Sequence, residues 1–450
     1  MGRHSTPRIL IVGGGHVGMN VALRLQRRLL RGEAEVVLVD PRSHQTYQPL
    51  LAEAAAGNVE PRHVAVPLRR LLPRVRIITA ELVSLSHAGR RAVVRLASDE
   101  HRELGYEHLV LAPGSVVRTL PIPGLAEVGV GFKSIGEAVY LRNRVLERMA
   151  FATSTMDDHA RRRALTFLVV GGGYAGVEAL GELADMSVAV APVFAGLSAS
   201  DLRWVLVEAT GRILPEVSLD LAGYTVELLR RRGIAVRLDT RLLSCVDGHV
   251  ELDNGESFET DTLMWTAGVR PHPVLAETDL PRDDEGRLVA DAFLRVRDST
   301  AAWTAGDCAA VPDLTARDPG TLCAPTAQHA VRQARRLADN LIAELRGRPV
   351  QAYRHRYVGS VASLGRFQGA AQLYGARVCG LPAWLMHRAY HWTKLPTVGR
   401  KTRVLADWLI GAVFPREIVS LGEIQHPREP FVRSAAPAAT EAQPQPRVRA

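Results

Sequence analysis

The sequence predicts an α/β protein built from two doubly wound units with parallel sheets, followed by a helical C-terminal extension. Three observations carry that expectation. A strand, glycine loop and helix open the chain in ILIVGGGHVGMNVALRL, residues 9–25. The same plan returns in FLVVGGGYAGVEALGEL, residues 167–183. From Leu381 the chain turns basic and apolar in LPAWLMHRAYHWTKL, with interspersed tryptophans. A length of 450 residues suits two or three domains with ample core.

In the first unit, residues 8–12 are a β-type run, the loop Gly13-x-Gly15-x-x-Gly18 follows, residues 19–30 show helical spacing, and EVVLVD is a buried strand ending at Asp40. One glycine permits the tight turn, the next lets a pyrophosphate approach the backbone, and the last lets helix pack on strand, with phosphates at the positive helix end. Gly13, Gly14, Gly15, His16, Val17 and Gly18 are therefore candidate contacts to a bound dinucleotide. Asp40, 22 residues beyond Gly18, is placed to accept a hydrogen bond from a ribose 2′-hydroxyl, with Pro41 beside it.

The second unit repeats the plan with Gly171, Gly172, Gly173, Tyr174, Ala175 and Gly176, and with a strand RWVLVE ending at Glu208. That acid lies 32 residues past Gly176, ten more than in the first unit, and the excess maps to an Ala/Ser/Gly-rich insertion at 186–200. A carboxylate at this strand end repels a 2′-phosphate, so NADH is preferred over NADPH; Arg212 nearby keeps the preference moderate. Gly171 follows Gly13 by 158 residues, so two nucleotides are expected together. The chemistry that needs both is an FAD held permanently and a nicotinamide dinucleotide that visits to deliver hydride.

The charge balance of 56 basic and 47 acidic residues, net +9, suits nucleic acid or an anionic membrane surface. Aromatics are too few, and too rarely interleaved with Lys and Arg, for a base-stacking surface, so no nucleic acid is expected. Cys245, Cys308, Cys323 and Cys379 lie far apart with no C-x-x-C, which predicts neither a disulfide framework nor a metal site, and a reducing interior. The N-terminal residues do not read as a signal peptide, and the longest uncharged stretch, 186–200, is too short to span a bilayer.

The chain resembles the two-dinucleotide-domain flavoproteins, and among them the type II NADH dehydrogenases, single-subunit NADH:quinone oxidoreductases. Beyond the glycine loops, the resemblance rests on TYQPLLAEAAAG (46–57), LVLAPGS (109–115), LMWTAGV (263–269), AAWTAGDCA (301–309) and APTAQHAVRQ (324–333), and it runs from about residue 8 to about 431. It implies an FAD domain of two segments, 1–118 and 269–345, flanking an inserted NADH domain, 119–268, with a C-terminal unit at 346–432; the Pro/Ala-rich residues 433–450 are expected from composition to be disordered. It also implies that Asp307 bonds the ribityl and pyrophosphate end of the flavin, and that Tyr47, Gln48, Ala112, Gly114 and Ala327 border the same cofactor. Ala267 and Gly268 fall to NADH. Ala112-Pro113-Gly114 departs from the commoner Ala-Thr-Gly.

Two residues are singled out as catalytic. Glu178, read as an acid in the first helical turn, corresponds to a glutamate beside the nicotinamide and flavin rings, where it orients NADH or relays protons. A structural reading, interaction with the helix dipole, is the alternative. Gln328 matches a family glutamine lining the quinone pocket; its expected partner one turn on is replaced by Arg332, with Gln333 adjacent. Residues 46–57 lack the redox cysteine pair of disulfide reductases, so electrons leave the flavin for another acceptor. Cys308 and Cys323 suggest a sulfide-oxidising alternative, against buried structural thiols.

In the C-terminal segment, Trp384, Leu385, Ala389, Trp392 and Leu395 read as one helical stripe, with His387, His391 and Lys394 on the other. Val404, Leu405, Trp408, Leu409 and Ala412 follow on a second helix. Between His387 and Arg403 there are five Lys or Arg residues and no acid. This is the pattern of an anchor on an anionic membrane surface through residues 381–414; a hairpin packed on the domain or on a second subunit, giving a homodimer, is the alternative. The function expected is FAD-dependent, non-proton-pumping oxidation of NADH with electron transfer to a membrane quinone, menaquinone in the first place. The enzyme would sit peripherally at the cytoplasmic face of the cell membrane. The rival is a soluble NADH-dependent flavoprotein reductase feeding a protein such as ferredoxin.

Overall fold

In the computed structural model, residues 6–355 and 359–422 are described. The tail expected to be disordered at 433–450 lies outside them.

The first sheet has seven strands in the order Ala302–Thr304, His108–Leu111, Arg8–Val12, Glu35–Asp40, Arg76–Ser86, Arg91–Leu96 and His101–Gly105. The first five run parallel and the last two turn back antiparallel. Ile9, Leu10 and Ile11 are fully buried, as befits an unbroken apolar run covered on both faces. The strand at 302–304 returns nearly 200 residues after its neighbour at 108–111 to complete this sheet.

Between those strands the chain builds a second, five-stranded parallel sheet in the order Gly129–Val130, Thr262–Trp265, Thr166–Val170, Arg203–Val207 and Ala235–Arg237. The two connections between the sheets, Ser115–Val117 and Val269–Pro271, pair antiparallel with one another.

Helix starts differ from expectation. The first helix spans His16–Arg28 rather than 19–30, so it begins directly at the glycine loop. The second spans Tyr174–Val190, and what read as an insertion at 186–200 is mostly its last turn followed by short 3-10 turns at Ala191–Val193 and Ala199–Asp201. A further helix, Ala327–Leu345, starts within the motif at 324–333 and carries Gln328 and Arg332.

The C-terminal part adds an antiparallel sheet, Gly359–Ser363, Gly369–Leu373 and Ala376–Cys379, and two helices, Leu381–Lys394 and Val398–Val413. Leu395 and Val404 pack with Tyr47, Leu50, Ala54, Val59 and Val64 of the first unit, with Trp392 and Trp408 at the edge. Among the described residues no helix is long and apolar enough to cross a membrane.

Candidate dinucleotide and electron-transfer site

The two glycine loops repeat each other bond for bond. Gly13 N–H donates to Val39 O at 2.8 Å and Gly171 N–H to Val207 O at 2.9 Å. Gly14 N–H donates to Asp40 Oδ2 and Gly172 N–H to Glu208 Oε2, both at 2.6 Å. The remaining carboxylate oxygens accept from the next turn, Asp40 Oδ1 from Arg42 N–H and Glu208 Oε1 from Thr210 N–H and its hydroxyl. Each acid therefore shapes its own loop; Pro41 beside Asp40 is exposed.

The three glycines of each loop divide their work as the motif requires. Gly13 and Gly171 have φ near +98° and +111°, and a Cβ there would lie 2.2 Å from Ala112 O or 2.6 Å from the Thr266 carbonyl carbon. A Cβ on Gly18 would meet Gly13 O at 1.8 Å, and one on Gly176 would meet Gly171 O at 2.1 Å. Gly15 and Gly173 face open space, with no atom within 4 Å of a built Cβ. Neither helix has a side-chain cap or an acid in its first turn, so its leading N–H groups are left for an anion. The residues fit dinucleotides in both places.

Around the first loop, Val17 lies under Gly306, whose φ of +77° turns the chain so that Asp307 follows. Gln333, fully buried, accepts from Gly306 N–H at 2.8 Å and so braces that turn. Asp307 Oδ2 accepts from the Ser115 hydroxyl at 2.7 Å, and Ser115 Oγ in turn accepts from Lys133 Nζ at 2.6 Å. Burial lowers the Lys133 ammonium, opposed by Asp307 and Glu137; burial also lowers the His16 imidazole, opposed by Asp307 and assisted by Lys133. Gln48 donates to Lys133 O at 3.2 Å. Lys133 and Ser115 escaped the sequence reading because neither belongs to a glycine loop, and Gln333 was named there only as the neighbour of Arg332; Lys133 sits in the linker before a helix. Ala112, directly after its strand, is buried, and Gly114 and Gly268 turn with positive φ beside open space, with Ala267 preceding the latter.

Glu178 is not in the first turn of its helix, which carries no acid. Its carboxylate is turned to the C-terminal part instead: Oε1 accepts from Ser363 N–H at 3.0 Å and lies 3.2 Å from His387 Nε2. Dipole stabilisation at the helix start is therefore not its role. Gln328 donates to Gly359 O at 3.3 Å and accepts from Arg332 Nη1 at 3.3 Å. Gly359 and Ser363 are the two ends of one strand, about 13 Å apart at ~3.3 Å per residue, so the C-terminal sheet meets Gln328 at one end and Glu178 at the other. Arg332 also bonds the His355 ring, 2.7 Å from Nδ1. Ala327, just before Gln328, is exposed.

Two further readings are corrected. On the helix at 381–394 the buried residues are Ala383, Trp384 and His387, so the histidine side faces inward with Trp384, and Leu385 and Ala389 face out. On the next helix Val404 turns inward while Leu405, Leu409 and Ala412 are exposed. Arg212, expected to moderate nucleotide choice, has its Nη2 bonded to the carbonyls of Leu214, Pro215 and Val217. Cys308 and Cys323 are buried free thiols pushed up to about 11 and about 12 by burial, which leaves them protonated rather than reactive. Among the described residues no His/Cys/Asp/Glu group suits a metal ion.

Comparison with known proteins gives the same picture. The family described as pyridine nucleotide-disulphide oxidoreductase matches residues 7–334. The chain is 28% identical over 383 residues to a type II NADH:quinone oxidoreductase of Staphylococcus epidermidis, covering 84% of this chain and 92% of the relative. It is 27% identical over 420 residues to a type II NADH:quinone oxidoreductase of Mycobacterium tuberculosis, covering 90% and 87%. Its fold matches the solved structure of NDH2 from Plasmodium falciparum in complex with NADH, with a TM-score of 0.85 at 17% identity over 92% of this chain and all of the other.

Proposed function

Because the chain belongs to the pyridine nucleotide-disulphide oxidoreductase family, we infer that it is an NADH:quinone oxidoreductase that takes electrons from NADH through a bound FAD and delivers them to a membrane quinone without pumping protons. One observation carries the reading: two glycine loops of matching geometry, each open at the one glycine a pyrophosphate must approach. The relatives named as type II NADH:quinone oxidoreductases support the same assignment of substrates.

A flavin, when bound, accepts hydride from a dihydronicotinamide and returns the electrons to a quinone, chemistry that no side chain here supplies. The chain's own residues bind and orient. The leading N–H groups after Gly15 and Gly173 hold the two diphosphates, Asp40 and Glu208 the riboses, and Asp307, positioned by Ser115 and Lys133, the flavin's polar end. Glu178 Oε1 holds a proton or orients the visiting ring. Gln328 and Arg332 present donors to quinone oxygens. We divide the chain into FAD segments at 1–118 and 269–345, an NADH domain at 119–268 and a C-terminal unit at 346–432.

The C-terminal helices are proposed to rest on the cytoplasmic face of the cell membrane. Leu385, Leu405, Leu409, Ile410, Val413 and Phe414 are all more than two-fifths exposed, and Lys394 and Arg403 are exposed beside them. Such a surface inserts shallowly between lipid headgroups and adds attraction to anionic lipid. A homodimer would cover the same face. The test is co-sedimentation with anionic vesicles: binding at low salt with release at high salt is expected, whereas a chain that stays in the supernatant at low salt, and reduces ferredoxin rather than quinone, is the soluble reductase. Menaquinone is taken as the quinone, tested by its rate against ubiquinone.

A further inference from the structure

Behind Glu178 lies a buried cluster of ionisable groups that the binding of two nucleotides does not need. His387, 1% exposed, stands between two carboxylates, Nε2 at 3.2 Å from Glu178 Oε1 and Nδ1 at 3.9 Å from Glu53 Oε1. Neither ring nitrogen makes a well-aligned hydrogen bond, and Glu53 Oε1 has no hydrogen-bond partner either. Glu53, also 1% exposed, is fixed through its other oxygen by the Trp408 indole N–H at 2.6 Å and by Arg388 at 3.2 Å. One turn along the same helix His391 packs edge-on against His387, ring centroids 4.5 Å apart, with its Nδ1 3.2 Å from the Tyr47 hydroxyl. His391 is partly exposed. The chain of groups therefore leads from His391 through His387 to Glu178.

The stoichiometry of the inferred reaction asks for such a path. NADH yields two electrons and one proton as hydride, and the quinol gains two electrons and two protons. One proton per turnover must come from water. We propose that His387 is a positioning residue that passes this proton to Glu178 and recovers it from His391. In the step, the His387 Nε2–H bond breaks and a Glu178 Oε1–H bond forms; the neutral imidazole is then recharged through His391.

The electrostatics agree with the geometry. Burial alone would lower His387, but Glu178 at 3.2 Å and the charges of Glu53 and Glu182 outweigh it, and the net shift is upward. His391 goes the other way, pushed well below the usual imidazole range by burial and by the charge on His387. Of the two rings, His387, the member next to Glu178, is therefore the one that favours the proton. Glu182, on the same helix as Glu178, faces the cluster with Arg388 and Arg416 opposite it.

The proposal rests on the reading of the chain as an NADH:quinone oxidoreductase with Glu178 at the reacting centre. The test separates the half-reactions in holoenzyme by stopped flow: flavin bleaching by NADH, then recolouring by a soluble quinone analogue. For His387→Gln the bleaching rate is expected to stay within about twofold of wild type. Its recolouring is expected to slow by about tenfold to a hundredfold and to lose its dependence on pH. Glu53→Gln removes a negative charge beside His387, so the alkaline limb of recolouring should move to lower pH; this decides the matter if His387→Gln does not retain flavin. Unchanged recolouring in His387→Gln, or an unmoved limb in Glu53→Gln, overturns the proposal. Wild-type protein that is never bleached or never recoloured overturns the functional reading instead.

Discussion

Gly173 and Gly176 lie three residues apart in one loop, yet the structure assigns them opposite consequences on substitution. Gly173 has φ −72° and ψ 178°, extended backbone open to any residue, and a Cβ there touches nothing. Replacing glycine by alanine at such a site restricts the unfolded chain, stabilising by about 0.4–1 kcal/mol. Losing a tolerated helix N-cap costs a similar amount, so Gly173→Ala should leave the melting temperature nearly unchanged. At Gly176 the added carbon would sit 2.1 Å from Gly171 O and 2.5 Å from Thr266 Oγ1, and that hydroxyl is tied to the carbonyls of Val170 and Gly171. Helix and strand must separate, at about 1–3 kcal/mol or more. Function inverts the order of harm per unit of stability. The methyl of Gly173→Ala occupies the approach of the NADH diphosphate and forfeits a charge-assisted hydrogen bond, about 1.5–3 kcal/mol, which is about a tenfold to a hundredfold rise in KM for NADH. Thermal unfolding and steady-state kinetics on flavin-loaded protein give both numbers. Equal losses of stability in the two variants, or an unchanged KM in Gly173→Ala, would refute the division of labour in the loop.

Other outcomes follow from single sites. Glu182 is fully buried and raised to about 7 by burial and by the charge of Glu53, so its folded form keeps a proton that the unfolded chain releases near 4.5. Stability from this group is complete below about 4.5 and is lost as pH rises to about 7, on the order of 3 kcal/mol; Glu182→Gln should flatten that decline in melting temperature between pH 5 and 8, and an unaltered slope would count against it. Arg212 bonds three carbonyls, so Arg212→Ala should lower stability without changing the NADH to NADPH preference, whereas Glu208→Ala should raise NADPH use; measured kcat/KM ratios decide. Cys308→Ala and Cys323→Ala should each keep quinone reductase activity, because both thiols are buried and protonated; loss of turnover in flavin-loaded protein would reopen sulfur chemistry. Leu409→Asp should reduce vesicle binding at low salt while NADH oxidation by a soluble quinone analogue persists.

The parallel sheets and loops were legible because their signals are local. Continuous apolar strands, glycines at fixed offsets and a strand-terminal acid fall within about 40 residues, and the structure places Asp40 and Glu208 in matching hydrogen bonds. What the sequence hid depends on contacts between distant segments. Glu178 reads as a helix-start acid until Ser363 and His387 arrive from about 200 residues later. Ser115 becomes the partner of Asp307, and Lys133 the partner of Ser115, only when the linker folds against the returning strand. The C-terminal helices misled the periodicity argument for a related reason: both of their faces carry apolar residues, and a buried histidine between carboxylates has the same letter as an exposed one. Polarity in the sequence does not distinguish a solvated face from a satisfied internal cluster.

The most direct test of the whole account is optical. Protein reconstituted with FAD, washed and held without oxygen, should be yellow, should bleach on one equivalent of NADH, and should recover its colour when a quinone is added. Protein that remains colourless, or that bleaches and stays bleached with quinone present, would contradict the claim that this chain carries electrons from NADH to quinone through a bound flavin.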